Sequence, residues 1–60
     1  MEFIKTDYGK YCNHNGYDIF YSSYSDLYNI TKIVNDKSQS IAVRVTETEM
    51  KEIIKDNNGI

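Results

Sequence analysis

Residues 41–54 read IAVRVTETEMKEII, and within them the spacing of the apolar side chains changes. The first part alternates as one face of a β-strand does, with apolar residues at Ile41, Val43 and Val45. The second part has the spacing of an amphipathic helix, with apolar residues at Met50, Ile53 and Ile54. Between them, Thr46 and Glu49 match the capping-box pattern, in which the threonine hydroxyl accepts a hydrogen bond from the glutamate amide. The sequence therefore predicts a strand that runs directly into a short helix.

The predicted helix extends from about Glu47 to Asp56 and folds back onto a sheet. Acidic residues in its first turn and Lys55 near its end complement the helix dipole. We expect Asn57-Asn58-Gly59 to terminate it. The acidic start, formed by Glu47, Glu49 and Glu52, is explained by capping and by the dipole without any acid–base chemistry.

Upstream of this unit, the chain predicts a series of short antiparallel strands. Residues 2–7 predict an edge strand, residues 7–10 a turn in which Gly9 is free to take a positive φ, and residues 11–12 a brief strand. Asn15-Gly16 is the best hairpin signal in the chain, because both residues tolerate the positive φ of a type I′ turn. Residues 17–24 predict a strand that buries the face containing Ile19 and leaves Phe20 partly exposed.

Residues 27–34 fit either a strand or a helix. Leu27, Ile30 and Val34 could form a helical stripe, but the segment is rich in β-branched residues, which favour a strand. We predict a strand, joined through a polar connection at residues 35–40 to a strand at residues 40–46.

The predicted fold is a single α+β domain over residues 1–60: a small antiparallel β-meander of four or five short strands, with one C-terminal α-helix packed on one face. A two-helix α+β domain is the alternative.

The size and composition of the chain limit the kinds of protein that it can be. A chain of 60 residues buries only about 60% of its unfolded surface, so self-association as a homo-oligomer is one route to further stability. The single cysteine excludes a disulfide within the chain and suits a reducing compartment. No apolar stretch reaches membrane-spanning length and no signal-peptide pattern is present, which predicts a cytoplasmic protein. No cofactor is expected.

Cys12 and His14 form the one pairing of residue types suited to metal binding or nucleophilic catalysis. They would lie on the same side of a strand, but a tetrahedral metal site needs further ligands, and no family signature surrounds the pair. We therefore interpret them as a half-buried thiol and a turn histidine. No catalytic or metal-binding residue is predicted.

The six tyrosines all lie in the first half of the chain. Most are interpreted as half-buried filler of a sheet that has no tryptophan. Tyrosine also offers a large contact area and a hydroxyl that stays satisfied in a wet interface. We therefore predict a partner-binding surface on the open sheet face or an edge strand, formed by Phe20, Tyr21, Tyr24 and Tyr28.

A nucleic-acid interface is the alternative prediction, with Lys32 and Arg44 on the same exposed side of the last hairpin. A three-stranded sheet followed by a helix, over about Gly16 to Lys55, resembles the small arm-type integrase DNA-binding domains in element order. This resemblance implies that basic and aromatic residues of the open face would contact nucleic acid. The net charge of −2 and the absence of a basic block favour a protein partner instead.

The sequence therefore predicts a non-enzymatic protein that binds another protein as a regulator or inhibitor. Isoleucine, lysine, asparagine and tyrosine are abundant and proline is absent, a bias typical of AT-rich genomes. We expect the chain to be encoded by a phage or another mobile element of a low-GC bacterium.

Overall fold

The computed structural model describes residues 1–58. Five strands and one helix follow one another along the chain: β1 Ile4–Thr6, β2 Gly9–His14, β3 Tyr17–Ser22, β4 Leu27–Val34, β5 Lys37–Val45 and α1 Glu47–Asn58. Each strand pairs antiparallel with the next, so the order in the sheet is the order in the chain. The predicted α+β meander with a C-terminal helix is confirmed, and residues 27–34 form the strand rather than the alternative helix.

Two hairpins are closed by two-residue turns whose central residues both have positive φ. Asn15 and Gly16 have φ of 52° and 84°, as the sequence predicts. Asn35 and Asp36 have φ of 52° and 63°, so the turn between β4 and β5 has the same signature. The prediction of a polar connection over residues 35–40 is therefore wrong. Asn and Asp reach the left-handed conformation without glycine, which lets β5 begin at Lys37.

Gly9 is the first residue of β2 and directly follows the turn at residues 7–8. Gly16 is the glycine with positive φ in the described part of the chain, so Gly9 does not use the positive φ that was open to it. A Cβ atom on Gly9 would lie 1.8 Å from the backbone oxygen of Tyr21. Gly9 thus permits the close approach of β3, and β2 extends over the whole of residues 9–14 instead of a brief strand at residues 11–12.

Two irregularities in β5 change which of its side chains are buried. The register pairs Thr31 with Ser40, Ile30 with Ala42 and Tyr28 with Val45. β5 therefore has one extra residue in each interval, which is the definition of a β-bulge. Arg44 has a φ of 56°, and its N–H donates to Oδ1 of Asn29 at 2.9 Å. Val43 is 62% exposed, so the prediction that it alternates onto the same face as its neighbours at positions 41 and 45 is wrong.

The core lies between the helix and one face of the sheet, which we call the helix face. The described residues that are fully buried are Cys12, Tyr17, Ile19, Tyr28, Ile30, Met50 and Ile54. The strand residues among them occupy alternate positions of β3 and β4, and Cys12, Ile19 and Ile30 lie opposite one another across the three strands. The predicted burial of the face containing Ile19 is confirmed. The opposite face, which we call the open face, is not covered by a helix of residues 1–58.

The helix begins with the predicted capping box. The Glu49 amide donates to Oγ1 of Thr46 at 3.3 Å, and the Thr46 amide donates to Oε1 of Glu49 at 3.1 Å. Residues 57 and 58 still belong to the helix, so its predicted end is too early, and the expected terminator Gly59 lies outside the described residues. It is the one helix that the described residues form, and it is neither long nor apolar enough to cross a membrane.

Candidate functional site

The open face is almost uncharged. Strand residues alternate between the two faces, so the register places one central row on this face, consisting of Ile4, Tyr11, Phe20 and Asn29. Asp18 and Asn13 occupy the next row, opposite each other. Among the paired strand residues that the structure describes, Asp18 is the one charged side chain on this face. The face can therefore offer a partner apolar contact around a single negative charge.

Four aromatic rings at one end of the sheet form a surface that we call the aromatic patch: Tyr8, Tyr11, Phe20 and Tyr24. The ring centroids of Tyr11 and Phe20 are 5.0 Å apart, and those of Tyr8 and Tyr24 are 5.8 Å apart. Tyr24 is 81% exposed, Tyr8 66% and Phe20 45%. A shallow cleft of about 530 Å³ is lined by Tyr8, Tyr11, Phe20 and Asp18, which connects the patch to the charged group.

Two loops hold the exposed end of this patch in place. The N–H and the hydroxyl of Ser23, in the β3–β4 loop, both donate to the backbone oxygen of Tyr8, at 2.8 and 2.9 Å. The Asp26 amide closes the same loop by donating to the Ser22 oxygen at 2.8 Å, with Asp26 at a positive φ of 60°. These backbone contacts bring Tyr24 beside Tyr8, so the exposed rings are displayed by ordered backbone.

Asp18 is held by two side chains of β2. The Tyr11 hydroxyl donates to Oδ1 of Asp18 at 2.6 Å, and Nδ2 of Asn13 donates to the same atom at 2.9 Å. These hydrogen bonds, with that from Tyr11 the larger cause, lower the pKa of the Asp18 carboxyl below its ordinary value. The same bond raises the pKa of the Tyr11 hydroxyl. The carboxylate is therefore an oriented anion at neutral pH.

The helix face contains a second cleft, of about 670 Å³, and Lys10 is one of the residues that line it. Nζ of Lys10 lies 4.9 Å from the ring centroids of Phe3 and Tyr21 and 5.9 Å from that of Tyr28. Three rings around one ammonium group form a cation–π arrangement. Because Lys10 fills this cage, we interpret the cleft as a structural feature that closes the edge of the core.

Carboxylates at the rim of this cleft are also paired within the chain. The Tyr21 hydroxyl donates to Oδ1 of Asp26, which raises the pKa of Tyr21. The Tyr28 hydroxyl donates to Oε1 of Glu47 at 3.3 Å, while Oε2 of Glu47 lies 3.1 Å from Nζ of Lys51. Lys51, by hydrogen bond and charge, is the main cause that lowers the pKa of Glu47. Asp26 and Glu47, two of the carboxylates that line the cleft, are thus paired within the chain.

The predicted partner-binding residues fall on opposite faces of the sheet. Phe20 and Tyr24 lie in the aromatic patch on the open side. Tyr28 is only 3% exposed and belongs to the core, and the ring of Tyr21 packs 4.9 Å from it on the helix face. The prediction of one surface containing all four residues is therefore wrong, because neighbouring strand positions alternate between faces and Tyr21 is paired directly with Tyr28.

The two predicted nucleic-acid contacts are Lys32 and Arg44. Lys32 lies on the helix face, where its Nζ is 4.9 Å from the ring centroid of Tyr17. Arg44 lies at the second bulge of β5, and its backbone bonds to Asn29 of the open face. The register puts Lys32 on the same face as Tyr17, and Arg44 lies outside the paired positions, so the shared exposed side of Lys32 and Arg44 stays a prediction.

Cys12 and His14 lie on the helix face without forming a site. Cys12 is buried in the core, deeper than the half-buried position predicted for it. His14 is half-buried at the Asn15-Gly16 turn, with its Nε2 3.3 Å from Nδ2 of Asn15. Within residues 1–58, no three His, Cys, Asp or Glu side chains are grouped closely enough to hold a metal ion.

Sequence reasoning missed Tyr8, Tyr11 and Asp18 as members of the open-face site. The signal for two of them was present in the hairpin turn. A two-residue turn at Asn15-Gly16 pairs residues 14 and 17, and counting outward pairs Asn13 with Asp18 and Tyr11 with Phe20. The contact between Tyr8 and Tyr24 depends on how two loops meet, for which the sequence carries no periodic signal.

Comparison with known proteins adds no family to this description. No family model matches the chain, and neither a curated protein nor a solved structure gives a significant match. The functional argument therefore depends on the geometry of the two faces.

Proposed function

We propose that this protein acts by binding another protein through the open face of its sheet, as a non-enzymatic regulator or inhibitor. The supporting observation is the one-sided burial of the sheet. The helix covers one face, whereas the other presents Phe20, Tyr8 and Tyr24 to solvent, with Asp18 on the same strand and the same face as Phe20. Exposed aromatic rings with little conformational freedom are typical anchors of protein interfaces.

The charge of the open face supports a protein partner over a nucleic acid. A phosphate backbone is bound through several lysines or arginines, and these neutralise its charge. The paired residues described on the open face contribute no lysine or arginine, and their one charged group, Asp18, would repel phosphate. A single-stranded oligonucleotide titrated at low salt is therefore expected to bind weakly or not at all.

The proposal includes a cellular setting drawn from composition alone. We place the protein in the cytoplasm of a low-GC bacterium, encoded by a phage or another mobile element. A lysate of such a bacterium is therefore the source in which to search for the partner.

The experiment compares three immobilised proteins in that lysate. The first is the wild type, and the second is the double variant Phe20→Ser/Tyr24→Ser, which removes two rings from the aromatic patch. The third, Val34→Ser, removes an exposed apolar side chain at the far end of β4 and serves as the matched control. Circular dichroism checks that all three fold.

We expect one or a few proteins to be retained by the wild type and by Val34→Ser and to be lost with the double variant. Retention that the double variant leaves unchanged would contradict the proposed surface. A wild type that retains nothing above the background of the uncoated matrix would contradict the proposed function itself.

A further inference from the structure

No charged side chain is paired with Asp18 across the described strands. Its neighbours across the strands are Asn13 on β2 and Thr31 on β4, both neutral. Both of its recorded hydrogen bonds reach Oδ1, and none reaches Oδ2. The one ion pair in the described chain, between Glu47 and Lys51, involves other residues. The Asp18 carboxylate is therefore held in a fixed orientation, and its Oδ2 accepts no hydrogen bond from the described residues.

The surroundings of this acceptor select a particular kind of cation. Phe20 is two residues from Asp18 on the same strand, so its ring stands on the same face, beside that of Tyr11. The cleft between these groups is shallow and has no deep pocket for a strongly hydrated ion. A guanidinium group is planar, weakly hydrated, able to stack on an aromatic ring and able to donate to a carboxylate at the same time.

We propose that the partner presents an arginine to the open face, with its guanidinium donating to Asp18 and stacking on Phe20. This inference rests on the proposed function and specifies the partner's chemistry: a protein segment with one arginine among apolar side chains. The apolar neighbours of that arginine contact the rest of the aromatic patch. A partner with aspartate or glutamate at this position is excluded, because two unpaired carboxylates would face each other in a desolvated interface.

A displayed library of random peptides of 12 residues tests this chemistry without knowledge of the natural partner. The folded wild type is the bait, and two parallel selections use Asp18→Asn and Phe20→Ser. Asp18→Asn keeps an Oδ1 acceptor for Tyr11 and Asn13 but replaces the charged Oδ2 by a neutral amide NH2, so it is a close structural match that removes the proposed arginine contact. We expect the wild type to select apolar peptides that contain one arginine, and the arginine preference to disappear with Asp18→Asn.

The strongest peptide is then resynthesised with its arginine replaced by glutamine, and both versions are titrated by fluorescence anisotropy. On the wild type, the replacement is expected to weaken binding by about tenfold or more, within the range measured for close charge pairs at interfaces. On Asp18→Asn, the same replacement is expected to change Kd by less than about twofold, since coupled residues lose their interaction energy together.

The outcomes separate this inference from the proposed function. Peptides that bind the wild type, lose affinity with Phe20→Ser and show no arginine preference would overturn the arginine proposal and leave the binding face supported. Peptides unaffected by Phe20→Ser would contradict both. Sedimentation of the protein alone tests a second copy as the occupant: self-association lost with both Asp18→Asn and Arg44→Gln would also overturn the proposal of a foreign partner.

Discussion

Residue 9 has to be a glycine because the neighbouring strand β3 lies too close to leave room for a side chain. A Cβ atom there would lie 1.8 Å from the Tyr21 backbone oxygen, a distance that only a backbone shift can relieve. We predict that Gly9→Ala lowers the free energy of unfolding by about 3 kcal/mol or more, since overpacking costs typically 1–3 kcal/mol even where side chains can adjust. Urea denaturation followed by circular dichroism measures the loss.

Gly16→Ala is the matched control for that substitution. Gly16 has a φ of 84° and no atom within 4 Å of its potential Cβ, so an alanine there meets strain but no clash. Its expected cost is about 1–2 kcal/mol, that of a left-handed conformation for an L-residue. A smaller loss for Gly9→Ala than for Gly16→Ala would contradict the close approach of β3 to β2.

The hydrogen bonds to Asp18 predict a dependence of stability on pH. The pKa of this carboxyl is lower in the folded chain than its ordinary value of 3.8, mainly because the Tyr11 hydroxyl donates to it. Protonation is therefore less favourable in the folded state than in the unfolded state. The resulting stabilisation is complete above pH 3.8 and is lost as the pH falls through the lower, folded-state pKa.

An NMR titration of the side-chain carboxyl carbon of Asp18 tests this relation directly. The pKa in the wild type is expected below 3.8, and Tyr11→Phe is expected to raise it towards that value. Asn13→Ala should have the same effect with a smaller shift, because the bond from Asn13 is the lesser cause. Equal pKa values in the wild type and in Tyr11→Phe would show that the hydroxyl does not hold the carboxylate in solution.

At the scale of the element, the junction between β5 and the helix depends on Thr46. Its hydroxyl accepts from the Glu49 amide and its own amide donates to the Glu49 carboxylate, so two donors are satisfied by one pair of residues. We predict that Thr46→Ala lowers the free energy of unfolding by about 1 kcal/mol, the usual cost of a lost N-cap. For a chain of this size that corresponds to a drop in Tm of about 4–8 °C.

Thr48→Ala distinguishes the cap from a general effect of threonine. Thr48 is exposed in the first turn of the helix and has no recorded side-chain hydrogen bond. Because alanine has the higher helix propensity, Thr48→Ala is expected to leave Tm unchanged or raise it slightly. Equal losses for the two variants would argue against the capping box.

The elements differ in how far their sequences specify them. The strand-to-helix junction was predictable because its signals are local: alternation, a capping pair and helical spacing lie within residues 41–54. The bulges of β5 were not, since they depend on pairing across the sheet; at the second bulge, the Arg44 amide donates to the Asn29 side chain on β4. The turn at Asn35 and Asp36 lacks glycine and so resembles an ordinary polar loop, although its backbone matches that of Asn15-Gly16.

At the scale of the whole molecule, the candidate site was only half predictable. The excess of aromatic residues in the first half is a property of the sequence, and it correctly identified Phe20 and Tyr24 as exposed. Assigning rings to faces requires the register of every hairpin, because a shift of one residue exchanges the faces. Tyr21 and Tyr28 were placed with Phe20 for lack of that register, although they pack together against the opposite side.

Mutations on the two faces of the sheet are expected to differ in their effect on stability: a large loss on the helix face and a small one on the open face. The Met50 side chain is 1% exposed. Met50 and Ile54 are the buried residues among the described side chains of the helix, and both belong to the core. Removing most of such a side chain costs about 2–5 kcal/mol. A core of this size rarely supplies more than about 3–5 kcal/mol in total. We therefore expect Met50→Ala to be largely unfolded at 25 °C by circular dichroism.

Phe20→Ser removes an aromatic side chain from the open face. The Phe20 side chain is already 45% exposed to water, unlike the buried Met50. The folded state of this variant loses the contact with Tyr11 but little buried surface, so the expected change in the free energy of unfolding is below about 1 kcal/mol. A fold with one core thus keeps its stability when the open face is altered. If Phe20→Ser unfolded the protein as Met50→Ala does, the open face would be a second core, and its aromatic rings would not be available to a partner.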